Sequence, residues 1–144
     1  MDDDWREVVA EWQEQSVFVG RNGNGGVVQI GSSEGKPGIG PMEMLLFGIA
    51  GCTGVDIVNI LTKKRKKLLE LQIKVRGKRA EAHPKVFTDI EIVYLLVGQN
   101  LEPKAVEQAI QLSEEKYCSA SAMLRASAKI TSSYQIIAAE PSPQ

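Results

Sequence analysis

The sequence is poor in the side chains that most metal, nucleotide and nucleic-acid sites require. It contains one histidine and two cysteines, and its net charge is −1 over 144 residues. One histidine and two distant cysteines make a poor zinc-ligand set, and the sequence has neither a P-loop nor a dinucleotide-binding fingerprint. Because the charges nearly balance, the composition gives no indication of a nucleic-acid or membrane partner.

The N-terminus also lacks the basic segment of a secretory signal peptide, since Met1 is followed by three aspartates. This start predicts a cytoplasmic protein, in which a cysteine pair is more often catalytic or redox-active than structural. With 43% hydrophobic residues, the chain can form a substantial core. We expect one domain over residues 1–139 and a disordered tail over the polar residues 140–144.

The longest helical pattern follows Gly40 and ends in the basic residues 63–67. Pro41 suits the first helical turn, and Glu43 lies where a carboxylate meets the positive end of the helix dipole. The basic residues suit the opposite end of the helix. They could instead bind nucleic acid, but no aromatic residues alternate with them, which favours a solvent-exposed helix end.

The interior of this helix is almost entirely apolar or small. Asp56 and Asn59 interrupt the apolar run, which predicts a buried helix of a soluble protein and not a membrane span. Glycine recurs at every third position, at Gly48, Gly51 and Gly54. Because glycine weakens a helix, this spacing suggests that another backbone or a partner helix packs closely against it.

Alternating apolar and polar residues predict strands on both sides of the helix. The predicted strands cover residues 8–13, 16–20, 27–30, 71–80, 87–97 and 126–138. A second helix is expected over 104–116, followed by a break near Cys118 and a short helix. The glycine-rich residues 21–26 predict a turn that contains Arg21. This order predicts an α+β fold with helices on one face of an antiparallel sheet, and a homodimer that covers the apolar helix.

Cys52 is the strongest candidate for chemistry, although most free cysteines are simply buried. Two interpretations stay open: Cys52 and Cys118 are unrelated thiols, or they meet as a redox pair. If Arg21 and Glu43 reach Cys52, the guanidinium would stabilise its thiolate and the carboxylate would hold the guanidinium. Asp56 would need a polar pocket or a basic partner, because a buried carboxylate requires one.

Two segments that contain these cysteines resemble the OsmC/Ohr family of osmotically inducible protein C and organic hydroperoxide resistance proteins. One is PMEMLL at residues 41–46, followed by Gly51 and Cys52, and the other is KYCSAS at residues 116–121. The segment GCTGVDIV at 51–58 is most similar to the OsmC-like branch. The similarity covers about residues 16 to 138, and the order of predicted elements agrees with it.

The resemblance implies an intertwined homodimer, with the central helices between two sheets, that reduces organic hydroperoxides with thiols and without metal or haem. It assigns the reactive cysteine to Cys52, the resolving cysteine to Cys118 and the activating arginine to Arg21. The acidic partner of that arginine matches Glu43 only loosely. In the hydroperoxide-resistance branch the acidic residue follows the proline directly, whereas here Met42 does.

The sequence therefore predicts a peroxidase of oxidative-stress defence in which Cys52 becomes a sulfenic acid and Cys118 condenses with it. Its substrates would be organic hydroperoxides, and an external dithiol would restore both thiols. The alternative is a dimeric stress protein that binds a small apolar ligand and whose cysteines are incidental.

Overall fold

The structure is a computed structural model that describes residues 4–139. The expected tail at 140–144 lies outside the described residues. The chain divides between Leu45 and Leu46 into two units, and each is described by itself. The expectation of one domain over residues 1–139 stays a prediction.

The first unit contains an antiparallel sheet with the strand order β1-β2-β3. The strands are β1 (Val8–Glu14), β2 (Val17–Asn22) and β3 (Val27–Ile30). β1 and β3 lie close to their predicted positions, whereas β2 extends two residues beyond its predicted end at Gly20. The side-chain oxygen of Asn22 accepts hydrogen bonds from the backbone N–H groups of Asn24 (3.0 Å) and Gly26 (2.8 Å). These bonds organise the turn between β2 and β3.

Arg21 lies in β2 and not in the turn, so its predicted position was wrong. It pairs with Val9 on one side and with Val27 on the other. The next residue, Asn22, still pairs with Val8 of β1. The glycines that follow mark the turn correctly, but strand pairing extends closer to them than their sequence indicates. Arg21 consequently belongs to the middle strand of a sheet.

The long helix α1 covers Pro41–Lys63 and begins as predicted. Pro41 is its first residue, where a missing N–H costs nothing. The Glu43 Oε1 atom accepts a hydrogen bond from the Gly40 N–H at 2.7 Å. This is the reciprocal bond of a capping box, and it satisfies a donor that the helix itself leaves unpaired.

The same helix ends earlier than the basic residues predicted. Arg65 adopts a left-handed conformation with φ of 58°. The Lys66 N–H then bonds to the Leu61 carbonyl at 2.9 Å, and the Arg65 N–H bonds to the Thr62 carbonyl at 2.9 Å. This pair of bonds is a Schellman helix stop. Lys67 already belongs to the following strand, so the basic residues form a turn as well as a helix end.

The second unit contains a sheet with the strand order β4-β5-β6. The strands are β4 (Lys67–Arg79), β5 (Phe87–Gln99) and β6 (Lys129–Ala138). β4 and β5 are antiparallel, whereas β5 and β6 are parallel. The antiparallel pairings and the long helix confirm the predicted α+β class. The parallel pair was not predicted, because residue alternation along a strand does not reveal the direction of its neighbour.

A helical crossover connects β5 to β6. It consists of α2 (Pro103–Leu112), a π-helical turn at Ser113–Tyr117 (the π-turn) and α3 (Ser119–Leu124). The helix predicted over 104–116 therefore changes character at Ser113, because the Cys118 N–H bonds back to the Ser113 carbonyl at 2.7 Å. β6 begins at Lys129 and not at residue 126, since the Ala128 N–H still bonds to the Leu124 carbonyl at 2.9 Å.

The core of the second unit combines one face of its sheet with one side of α1. Every second residue of β5 points inward, and these are fully buried at Ile90, Ile92, Tyr94 and Leu96. The buried residues of α1 recur every four positions at Ile49, Thr53, Ile57 and Leu61. This periodicity places Cys52 next to the buried side of the helix.

Candidate functional site

Cys52 lies in the middle of α1 with a half-buried free thiol. The adjacent residue, Thr53, is fully buried, and its hydroxyl donates to the Ile49 carbonyl at 2.9 Å. That bond keeps the threonine hydroxyl against its own helix. Cys52 therefore combines a rigid helical backbone with a sulfur that is partly accessible.

Cys118 follows the π-turn and is the N-cap residue of α3. It is buried, and its Sγ atom accepts hydrogen bonds from the Ser121 N–H at 3.4 Å and from the Ser121 hydroxyl at 3.1 Å. Burial raises the pKa of the Cys118 thiol, while both bonds from Ser121 act in the opposite direction because they favour the thiolate. The net effect raises the pKa. Cys118 is thus mainly a protonated thiol at neutral pH.

The structure brings Cys52 and Cys118 together. The Cys52 thiol lies close to Cys118, and this proximity adds to the rise in the pKa of Cys118. Both cysteines are free thiols. Two cysteines that are 66 positions apart in the sequence, 118 against 52, are therefore neighbours in the structure and form a thiol pair. Their action as a redox pair stays a prediction.

The other two predicted site residues belong to the first unit, whereas the cysteines belong to the second. Within residues 4–45, Arg21 is exposed and forms no ion pair. The Glu43 carboxylate bonds to the Gly40 N–H and not to Arg21. The roles assigned to Arg21 and Glu43 in thiolate activation stay predictions.

Asp56 has a hydroxyl partner. The Ser113 hydroxyl donates to Asp56 Oδ2 at 2.8 Å, and Ser113 is fully buried. The sequence indicated that this carboxylate would need a polar pocket or a basic group, and a single buried hydroxyl supplies the polar contact. Because Asp56 follows Cys52 by one helical turn, the bond lies next to the thiol pair.

Sequence reasoning missed Tyr94 and Glu114. The buried Tyr94 hydroxyl donates to Glu114 Oε2 at 3.3 Å, and the Ser132 hydroxyl donates to the same oxygen at 3.0 Å. Burial first, and then the charge of Glu114, raise the pKa of Tyr94 well above its usual range, and Cys118 adds to this effect once its thiol is ionised at high pH. The alternation in β5 placed Tyr94 on the inner face of the sheet, but nothing in the sequence indicated its partners.

Residues 4–139 contain no group of three or more His, Cys, Asp or Glu side chains arranged to hold a metal ion. α1 is long and apolar enough to cross a membrane, judged by length and composition alone, and about a fifth (22%) of its most apolar stretch is buried within the chain. The argument that Asp56 and Asn59 exclude a membrane span was therefore too strong. The core helix of a soluble protein has the same length and composition.

Known proteins are similar to this chain in sequence and in fold. Residues 33–133 match the family described as OsmC-like protein. Protein YhfA of Escherichia coli K12 is 36% identical over 129 residues, which is 90% of this chain and 96% of YhfA.

Solved structures extend the comparison. The crystal structure of a hypothetical protein from Aquifex aeolicus is 39% identical, with a TM-score of 0.86, and the match covers 95% of this chain and 99% of that one. The organic hydroperoxide resistance protein OhrB of Bacillus subtilis is 15% identical, with a TM-score of 0.63 over 91% of this chain and 98% of OhrB. At that identity the similarity shows a shared fold.

Proposed function

Because this chain belongs to the OsmC-like protein family, we propose that it is a thiol-dependent peroxidase that reduces organic hydroperoxides in oxidative-stress defence. The observation that carries the proposal is the proximity of two free thiols, Cys52 and Cys118. A protein with the same fold is named for organic hydroperoxide resistance, which supports the choice of substrate class. The proposed compartment is the cytoplasm.

In the first step, the Cys52 thiolate attacks the terminal oxygen of the hydroperoxide. A sulfur–oxygen bond forms and the oxygen–oxygen bond breaks, so Cys52 becomes a sulfenic acid and the substrate leaves as an alcohol after taking up a proton. Cys52 is better suited to this attack than Cys118, because its thiol is half-buried whereas Cys118 is 3% exposed. Arg21, held by Glu43, is the proposed stabiliser of the thiolate.

In the second step, the Cys118 sulfur attacks the Cys52 sulfenic sulfur. A disulfide forms, the sulfur–oxygen bond breaks, and the hydroxyl group leaves with the Cys118 proton as water. The proximity of the two thiols supports this step. An external dithiol then reduces the disulfide by two exchange reactions and is itself oxidised.

The proposed working form is a homodimer in which a second copy covers α1. The helix exposes large apolar side chains along its outer side: 60% of Phe47, 61% of Val55 and 43% of Val58 are exposed. Gly48 and Gly51 lie on this side, and within residues 46–139 no atom comes within 4 Å of a Cβ built at either position. A partner helix could therefore approach both glycines closely.

A second candidate function is the binding of a small apolar ligand. A depression of about 550 Å³ lies along α1 and is lined by Ala50, Gly51, Gly54, Val55, Val58, Asn59, Leu71 and Ile73. Its walls are almost entirely apolar, as ligand sites commonly are. In this alternative the depression would hold the ligand and the thiols would be incidental.

Counting free thiols distinguishes the two functions. The reduced protein is mixed with one equivalent of tert-butyl hydroperoxide, and its thiols are titrated before and after. We expect the wild type to lose both thiols, and Cys52→Ser to keep its remaining thiol and consume no peroxide. Cys118→Ser should stop at a sulfenic acid that dimedone traps. Unchanged thiols in the wild type would reject the peroxidase and favour the ligand-binding function.

A further inference from the structure

The π-turn is attached to the helix that carries Cys52 through one side-chain hydrogen bond. Asp56 follows Cys52 by one turn of α1, and its Oδ2 atom accepts the Ser113 hydroxyl at 2.8 Å. Ser113 is fully buried and is the first residue of the π-turn. A hydroxyl in this position has no water to replace its partner, so the bond fixes Ser113 relative to α1.

Ser113 is also attached to Cys118. Its backbone carbonyl accepts the Cys118 N–H at 2.7 Å, the bond that closes the π-turn. One residue therefore bonds through its side chain to the helix of Cys52 and through its backbone to Cys118. π-Helical turns are rare in proteins, and those that occur are often found at functional sites. This turn determines the position of the Cys118 thiol.

The sheet holds the other side of the same turn. Glu114 accepts the hydroxyl of Tyr94 from β5 and the hydroxyl of Ser132 from β6. The two residues that begin the π-turn are thus bonded to α1 and to the sheet, respectively. These contacts leave little freedom to the short segment that ends at Cys118.

We propose that Asp56 and Ser113 are positioning residues that hold Cys118 against Cys52 and thereby set how readily the two thiols form a disulfide. The consequence for turnover rests on the proposed function, since disulfide formation is its second step. In that step the Cys118 sulfur must approach the sulfenic sulfur in line with the bond that breaks. Misplacing reacting groups by about 1 Å can slow a reaction by about 100-fold.

The test measures the effective concentration of one thiol at the other. The full chain is equilibrated with defined ratios of oxidised to reduced glutathione, and the fraction with a Cys52–Cys118 disulfide is determined by thiol counting. We expect Asp56→Ala and Ser113→Ala each to lower this effective concentration by about tenfold or more. Ser127→Ala, which removes a hydroxyl that bonds to the nearby Leu124 carbonyl, should leave it unchanged.

Two further variants separate positioning from general stability. Ser113→Thr keeps the hydroxyl and should retain the wild-type value within about twofold. The double variant Asp56→Ala/Ser113→Ala removes both polar groups, so no buried group loses its partner and the fold should be retained. Its effective concentration should nevertheless be no higher than that of either single variant, because one bond has been lost in all three.

The proposal is overturned if Asp56→Ala and Ser113→Ala keep the wild-type effective concentration, or if Ser127→Ala lowers it equally. It is also overturned if the folded double variant recovers the wild-type value. The glutathione measurement does not involve peroxide. A wild type that forms the disulfide with glutathione but does not consume tert-butyl hydroperoxide would therefore reject the proposed function while leaving the positioning role intact.

Discussion

At the scale of single residues, the protonation state of Cys118 controls how fast the thiol pair can form a disulfide. Burial, and to a smaller extent the neighbouring Cys52, raise the pKa of its thiol, while Ser121 acts against them. Only the thiolate attacks a sulfenic acid or a disulfide efficiently. A raised pKa means that the reactive form is scarce at neutral pH and becomes more abundant as the pH rises.

We expect disulfide formation after oxidation of Cys52 to accelerate with rising pH and to level off above the raised pKa of Cys118. Ser121→Ala removes the hydroxyl that bonds to Cys118 Sγ at 3.1 Å and favours its thiolate. The variant should shift the profile to higher pH and slow the step at pH 7, because a smaller fraction of Cys118 is then thiolate. Rapid-quench thiol counting in a single turnover measures the rate.

Ser119→Ala is the matched control, because Ser119 is an exposed serine of the same helix. Its pH profile should match that of the wild type. A rate that does not vary with pH, or a faster reaction in Ser121→Ala, would contradict the role of Cys118 protonation.

At the scale of helices and strands, two different roles have been assigned to the Glu43 carboxylate at the start of α1. Glu43 bonds to the Gly40 N–H and caps the helix, whereas the family resemblance assigns it to Arg21. Glu43→Ala should lower the free energy of unfolding by about 1 kcal/mol, because a capping bond is lost. Glu43→Gln keeps an oxygen acceptor and should retain most of that stability in denaturant titration.

The same pair of variants tests the interaction with Arg21. If Glu43 only caps the helix, peroxide will oxidise Cys52 as fast in the Glu43→Gln variant as in the wild type. A rate that falls in Glu43→Gln as it falls in Arg21→Ala, with stability preserved, would show instead that the carboxylate acts on the arginine during the reaction.

The beginning of α1 was predictable because its signals are local: Pro41 and Glu43 lie within the first turn. Its end was not, because Arg65 adopts the left-handed conformation that usually marks a glycine or an asparagine. The thiol pair was one of two open interpretations. Its supports were not predictable, since the Ser113–Asp56 and Tyr94–Glu114 bonds depend on how distant segments pack.

At the scale of the whole molecule, we expect the outer side of α1 to form the interface of a homodimer. A large exposed apolar surface on a helix marks an interaction site, and we expect the protein to sediment as a homodimer. Val55→Glu places a charge in the middle of that side and should yield monomers, because an unpaired charge cannot be buried without a large cost. Analytical ultracentrifugation measures the change.

Val93→Glu is the control for this prediction. Val93 is 40% exposed, but it belongs to β5 and points away from the buried face of the sheet. This variant should remain dimeric. A wild type that sediments as a monomer, or a Val55→Glu variant that remains dimeric, would exclude α1 as the interface.

The parallel pairing of β5 and β6 also has a consequence for biosynthesis. Asp89 pairs with Lys129, so the ribosome must add the whole crossover before the sheet can close. Chains with many sequence-distant pairings fold slowly, and domains begin to fold from the N-terminal side while they are made. The antiparallel β4–β5 hairpin can form first, and Cys118 is synthesised 66 residues after Cys52. During synthesis Cys52 therefore exists for a time without Cys118, and under the proposed mechanism a Cys52 oxidised in that interval would lack its resolving thiol.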